Sequence, residues 1–138
     1  MKIWCVDYAG LNPSIYSKLF LLKEEAEEWD KSWSFEGAYH KMYQVEDIWG
    51  FAARNFERVI ANLIESRTSD DGNVRIWNDE DVSLNDEIEA LAEEVGIKQF
   101  SCERWETFEN PGITIYAFSA AWVYDGELHH YTDTWEMF

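Results

Sequence analysis

The sequence predicts an α+β fold: an antiparallel sheet with about three helices, ending in a C-terminal β-meander, in a single compact domain spanning residues 1–138. Short runs of branched and aromatic residues bounded by turn residues predict strands, and apolar residues recurring at helical spacing predict helices. Hydrophobic residues make up 46% of the chain and eight residues are Trp, which is enough apolar material for one core. No linker-like or low-complexity run divides the chain.

In the first half, the apolar runs at 2–8 and 15–22 are separated by Gly10, Asn12 and Pro13, a pattern typical of a hairpin. A short helix is predicted over 23–33 and a strand over 35–45. The clearest helical pattern covers 47–65, where six apolar residues form one arc: Ile48, Ala52, Phe56, Val59, Ile60 and Leu63.

In the second half, a turn at 69–73 leads to a short predicted strand at 74–77 and then to a third helix. Ser83 followed by Asp86 fits a helix start, and Gly96 fits the stop. Three antiparallel strands complete the prediction, and the dipeptide Asp125-Gly126 predicts a tight turn between the last two. Their ranges are 98–108, 113–124 and 127–135.

Acidic residues outnumber basic ones by 28 to 11, for a formal net charge of −17. Residues 67–138 hold 17 of the acids and four of the bases, so most of the negative charge lies in the C-terminal half. This charge disfavours direct contact with nucleic acid or an anionic membrane and favours a basic protein as partner. A disordered acidic tail is excluded because such segments are poor in aromatic residues.

The densest acidic stretch comprises the third predicted helix and the residues before it. Its acids are expected on the arc opposite the apolar stripe, where they would face a partner or simply solvent. Carboxylates on a rigid scaffold can imitate the regular charge of duplex DNA. The predicted partner-binding acids are Asp79, Glu80, Asp81, Asp86, Glu87, Glu89, Glu93 and Glu94.

Most tryptophans are expected in the core, because Trp in strands and helix stripes buries a large area. Trp77 and Trp105 are neighbours of charged residues, as are the aromatic anchors of many interfaces. Both are therefore predicted contact residues.

No metal, cofactor or catalytic site is predicted. The chain has no Gly-rich phosphate loop, Cys-x-x-Cys pair, nucleophile elbow or zinc-protease helix. His129 and His130 are adjacent on a predicted strand, so they point to opposite faces and cannot readily share a metal. If the protein is an enzyme, the one candidate catalytic site that the sequence offers is a carboxylate near His129 or His130.

The sequence shows no leader-like or membrane-spanning segment, so a cytoplasmic location is expected. In such a compartment Cys5 and Cys102 are expected as small, buried thiols and not as a disulfide.

The predicted function is binding: the acidic half would occupy a basic surface on a nuclease or another nucleic-acid-binding protein, as a DNA-mimic inhibitor does. In composition the chain resembles the small acidic anti-restriction and anti-CRISPR proteins of phages and mobile elements, which implies an anti-defence inhibitor. The alternatives are an immunity protein that neutralises a basic nuclease toxin, and a small enzyme. The protein is expected as a monomer or a homodimer, and a homodimer would avoid the acidic face because like charges repel.

Overall fold

A computed structural model describes residues 1–10, 14–33, 38–110 and 112–137 and confirms the α+β class. Contacts divide the chain into two compact units, Met1–Ala52 and Ala53–Phe138. Each holds one antiparallel three-stranded sheet, so the strands form two sheets where the sequence predicted one. Organisation as a single domain stays a prediction.

The first unit contains β1 (Lys2–Ala9), β2 (Tyr16–Phe20), α1 (Lys23–Trp33) and β3 (Tyr39–Glu46). The strands pair in the order β2-β1-β3, which confirms the predicted hairpin and third strand. The predicted turn at 11–13 and the start of the 35–45 strand lie outside the described residues. Helix α1 has the predicted bounds and packs on one face of the sheet, around a core of Val6, Phe20 and Ala26.

The prediction of one continuous helix over 47–65 is wrong. The structure has a short α2 (Phe51–Arg54) and then α3 (Phe56–Ser66), with Asn55 between them at φ −117° and ψ 33°. The Asp47 carboxylate accepts hydrogen bonds from the amides of Phe51 and Ala52, at 2.9 and 2.7 Å. These bonds satisfy amides at the start of α2, so residues 47–50 serve as its N-terminal turn. The described residues therefore contain four helices, one more than the sequence predicted.

The second unit also contains α4 (Leu84–Glu94), β4 (Gln99–Asn110), β5 (Ile113–Tyr124) and β6 (Glu127–Met137). The three strands form the predicted meander, in the order β4-β5-β6. Asp125 and Gly126 both have positive φ, 53° and 77°, as a two-residue hairpin turn of this kind requires. Where a strand was predicted at 74–77, the structure has only isolated bridges, Thr68 to Val74 and Trp77 to Ser83.

One face of the second sheet carries the core of this unit. Phe56 of α3 packs edge-on against Phe100 and Trp122, with ring centroids 5.8 and 5.4 Å apart. Leu84 and Ile88 of α4 are fully buried, and α4 lies along β4. Among the described helices, none is both long and apolar enough to cross a bilayer.

The expectation that most tryptophans form the core is met fully only by Trp122, which is 2% exposed. Four others are partly buried, and the remaining three are about half exposed: Trp49, Trp77 and Trp105. Cys5 is buried, Cys102 is partly buried, and both are free thiols.

Candidate protein-binding surface

A tight loop before α4 presents the first part of the acidic stretch. The backbone of Asn78 donates to Val82 O at 3.0 Å, and its side-chain oxygen accepts from the amides of Glu80 and Val82, both at 2.9 Å. The bridge between Trp77 and Ser83 closes the loop, and Asp81 takes a positive φ of 59° inside it. One amide side chain therefore holds the loop from within, and the side chains at its tip face solvent.

Helix α4 begins where the sequence predicts. The Ser83 hydroxyl accepts from the Asp86 amide at 3.1 Å, an N-cap bond, and Gly96 ends the helix region with a φ of 87°. Asp86 and Glu87 lie in the first turn, where negative charge is favourable to the helix dipole.

Arg67, at the C-terminus of α3, fixes the loop and α4 in place. It is only 7% exposed. Its guanidinium donates to the backbone oxygens of Arg75, Ile76 and Val82 at 3.2, 2.9 and 3.4 Å, and it also pairs with the Glu87 carboxylate. One buried cation thus joins α3, the segment at 75–82 and α4.

Sequence reasoning missed this role. Arg67 and Arg75 are the only bases between residues 59 and 97, and Arg67 follows directly on an amphipathic helix. An isolated base among so many acids is the signal that could have identified a buried ion pair.

Seven of the eight predicted acids are exposed, and we call them the acidic surface: Asp79, Glu80, Asp81, Asp86, Glu89, Glu93 and Glu94. Glu87 differs from the expected outward orientation, because it is 35% exposed and directed at Arg67. Asp79 forms an ion pair with the exposed Arg75 at 2.6 Å. Residues 76–97 contain no Lys, Arg or His.

The C-terminal half of α4 borders a groove of about 470 Å³. Its floor includes Ala92, Ile97 and Phe100, and Glu89 and Glu93 line it from one helix turn to the next. An apolar floor beside carboxylates suits a Lys or Arg side chain, whose stem is apolar and whose head is cationic. Lys98 also lines the groove.

The field of these acids reaches the neighbouring strand. Cys102 of β4 donates to the Asn85 backbone oxygen at 3.8 Å, so its thiol lies against α4. Burial, together with the negative charges of Glu89 and Asp86, raises the pKa of Cys102 to about 11. The thiol is therefore a natural reporter of the local potential.

The two predicted aromatic contacts have different positions. Trp77 is 57% exposed and lies at the base of the acidic loop, so the structure brings it together with Asp79, Glu80 and Asp81. Trp105 is 49% exposed but three residues from Cys102 on the same strand, which places it on the other face of the sheet from α4. The structure does not bring Trp105 to the acidic surface.

The histidines take separate positions. His129 stacks on Trp122, with ring centroids 5.9 Å apart, whereas His130 is exposed on the other face of β6. His40 lies in the first unit, 2.8 Å from Asp30. In the part of the chain that the structure describes, no three His, Cys, Asp or Glu side chains converge on a point where a metal could bind.

Comparison with known proteins yields no relative: no family model, no curated protein and no solved structure matches the chain.

Proposed function

We propose that the protein binds a basic surface of another protein, a nuclease or other nucleic-acid-binding protein, and blocks it as a DNA mimic. The observation that carries this proposal is the acidic surface itself: seven exposed carboxylates on one loop and one helix, in a stretch without a base. A protein groove that binds phosphates is lined with Lys and Arg, and these side chains would pair with the carboxylates instead.

The spacing on α4 supports this reading. Asp86, Glu89 and Glu93 follow one another by three and four residues, so they lie along one side of the helix. At 1.5 Å per residue, successive carboxylates are about 5 Å apart along the axis, the same order as the spacing of phosphates along one DNA strand.

The acidic surface is also held in a fixed shape. The Asn78 loop is closed by its own hydrogen bonds, and Arg67 ties it to two helices. A rigid array loses little conformational entropy on binding, which favours affinity. The exposed indole of Trp77 supplies an apolar anchor beside the charges, as interface hot spots do.

Some of these charges oppose the stability of the helix. Glu93 lies near the C-terminus of α4, the negative end of the helix dipole, and no base occupies the last turn. Glu89 and Glu93 are like charges four residues apart, an arrangement that destabilises a helix by about 0.3 kcal/mol. Charges placed against the local preference of the fold are better explained by binding than by folding.

The test is a pull-down from nuclease-treated host lysate with the tagged protein, eluted with increasing salt. We expect a basic nucleic-acid-binding protein that salt elutes, because exposed charge pairs are screened. The recovered protein is then assayed for nucleic-acid binding with and without this chain. Loss of nucleic-acid binding in the presence of this chain would support the proposal that it acts as a DNA mimic. If the chain is instead an immunity protein, the protein recovered should be a toxin nuclease encoded beside it.

A triple reversal tests the surface: Asp86→Lys, Glu89→Lys and Glu93→Lys. A matched control reverses three exposed acids elsewhere, Glu28, Glu65 and Glu127, and so changes the net charge equally. The first variant should lose the partner while the control retains it, and both should give the native circular-dichroism spectrum. Equal loss in both variants would mean that only net charge matters, and retention in both would eliminate the acidic surface as the binding site.

A further inference from the structure

A cluster of polar side chains on the sheet of the first unit takes no part in the proposed function. The strand register places Leu19, Cys5 and Tyr43 side by side in one row across β2, β1 and β3. The next row on the same face holds Ser17, Asp7 and Lys41.

Asp7 is the centre of this cluster. Its carboxylate accepts from Ser17 Oγ at 2.6 Å, from Tyr43 Oη at 2.9 Å and, weakly, from Cys5 Sγ at 3.6 Å. These hydrogen bonds, that from Ser17 above all, lower the pKa of Asp7, so it is ionised at neutral pH. Burial raises the pKa of Cys5, which keeps the thiol protonated and unsuited to nucleophilic chemistry. The arrangement is one for binding and not for covalent catalysis.

A cavity of about 310 Å³ opens beside the cluster, and its size is that of a small ligand site. Cys5, Ser17, Leu19, Tyr43 and Trp49 line it. The hydroxyl protons of Ser17 and Tyr43 point to Asp7, so the oxygens of both hydroxyls offer lone pairs to a ligand. The cavity thus combines acceptor oxygens, a nearby negative charge and two aromatic side chains.

This combination selects for a cation. Aromatic faces attract ammonium groups, and acceptor oxygens satisfy their N–H bonds. One cation already lies by this ring: the ammonium of Lys41, opposite Asp7 in the register, is 5.5 Å from the centre of the Tyr43 ring. Lys41 is exposed, so its side chain can turn away into solvent when another cation arrives.

From this geometry we infer that the cavity beside Asp7 binds a primary alkylammonium group, with Tyr43 and Trp49 as aromatic walls, Ser17 and Tyr43 as hydrogen-bond acceptors and Lys41 as an internal competitor. The group could belong to a free amine or to a lysine side chain, and the chemistry of recognition is the same. This site lies within the first unit and is independent of the acidic surface.

The experiment is an NMR titration of the whole, ¹⁵N-labelled protein at constant ionic strength. Three probes of equal chain length are compared: n-butylammonium chloride, n-butanol and sodium butyrate. We expect saturable shifts of the Ser17 and Tyr43 amides and the Trp49 indole with butylammonium, with an affinity at least about fivefold above that for butanol. Equal affinity for butanol and butylammonium would overturn the proposal, because the cavity would then be merely apolar.

Two variants sharpen the result. Lys41→Met removes the competitor and should strengthen butylammonium binding several-fold, whereas Asp7→Asn removes the charge and should weaken it about tenfold. Weaker binding by the Lys41 variant would contradict the assigned competition. The comparison of probes on the unaltered protein remains decisive even where Asp7→Asn fails to fold.

The source of the group is separated by a fourth probe, the capped peptide acetyl-Gly-Lys-Gly-amide. Tighter binding of the peptide than of butylammonium assigns the site to lysine side chains, and the reverse order assigns it to free amines. Asp7→Asn should leave recovery of the basic partner by the acidic surface unchanged, so the two proposals fail separately.

Discussion

Replacing Arg67 by Met tests whether one buried cation holds the acidic surface in place. Met fills much of the same volume but donates no hydrogen bond, so the backbone oxygens of Arg75, Ile76 and Val82 lose their side-chain donor and Glu87 loses its counter-charge. Breaking a buried ion pair costs about 3–5 kcal/mol when the remaining charge stays buried. Glu87 is about one-third exposed and can reach water, so we expect the lower end, about 3 kcal/mol.

The assay is urea denaturation followed by circular dichroism, with Arg67→Lys and Glu87→Gln as companions. Lys keeps the charge but lacks the planar fork that reaches several oxygens, and should recover less than half of the loss. Glu87→Gln keeps an acceptor for Arg67 but leaves this buried cation without its counter-charge, so it should also cost about 3 kcal/mol. An ordinary surface substitution changes the free energy of unfolding by at most about 0.5 kcal/mol. A change no larger than this for Arg67→Met would refute the conclusion that Arg67 holds α3, the 75–82 segment and α4 together.

Two further predictions concern charge on α4. Glu93→Gln should raise the free energy of unfolding by about 0.5 kcal/mol, because it removes a negative charge from the C-terminal end of the helix and the repulsion with Glu89. The same change should lower the affinity for the basic partner. An unchanged or lower free energy of unfolding would contradict the conclusion that Glu93 opposes the helix dipole. Glu89→Gln, made in a Cys5→Ser background, should lower the pKa of Cys102 from about 11 and so accelerate its alkylation by iodoacetamide near pH 9. Identical rates with and without Glu89 would show that the charge of Glu89 does not contribute to that pKa.

Local signals in the sequence predicted much of the fold. The Asp125-Gly126 dipeptide fixes its hairpin because both residues adopt positive φ, and Ser83 fixes the start of α4 through its own hydrogen bond. These features depend on residues close together in the chain. The division of the 47–65 segment was missed because its apolar periodicity continues through Asn55, while the carboxylate of Asp47 favours a separate turn.

The part of the candidate site that depends on residues close together in the chain was also predicted. Helical spacing correctly placed most acids of α4 on the exposed side, but it could not show that Glu87 faces Arg67, twenty residues earlier. Trp105 was grouped with the acids by its neighbours in the chain, and strand alternation places it on the far face of the sheet. The orientation of Glu87 and the choice of the sheet face that α4 covers depend on contacts between distant segments, which periodicity does not encode.

The meander of the second unit has a consequence for the order of folding. Only two residues separate consecutive strands in the sequence, so β4, β5 and β6 can pair without closing a long loop. The contact between Arg67 and Glu87 must instead close twenty residues of chain. We expect the sheet to belong to the folding nucleus and the contact between Arg67 and Glu87 to form after the transition state. Changes at Arg67 should then accelerate unfolding with little effect on the folding rate, which would make the lifetime of the acidic surface adjustable without slowing its formation.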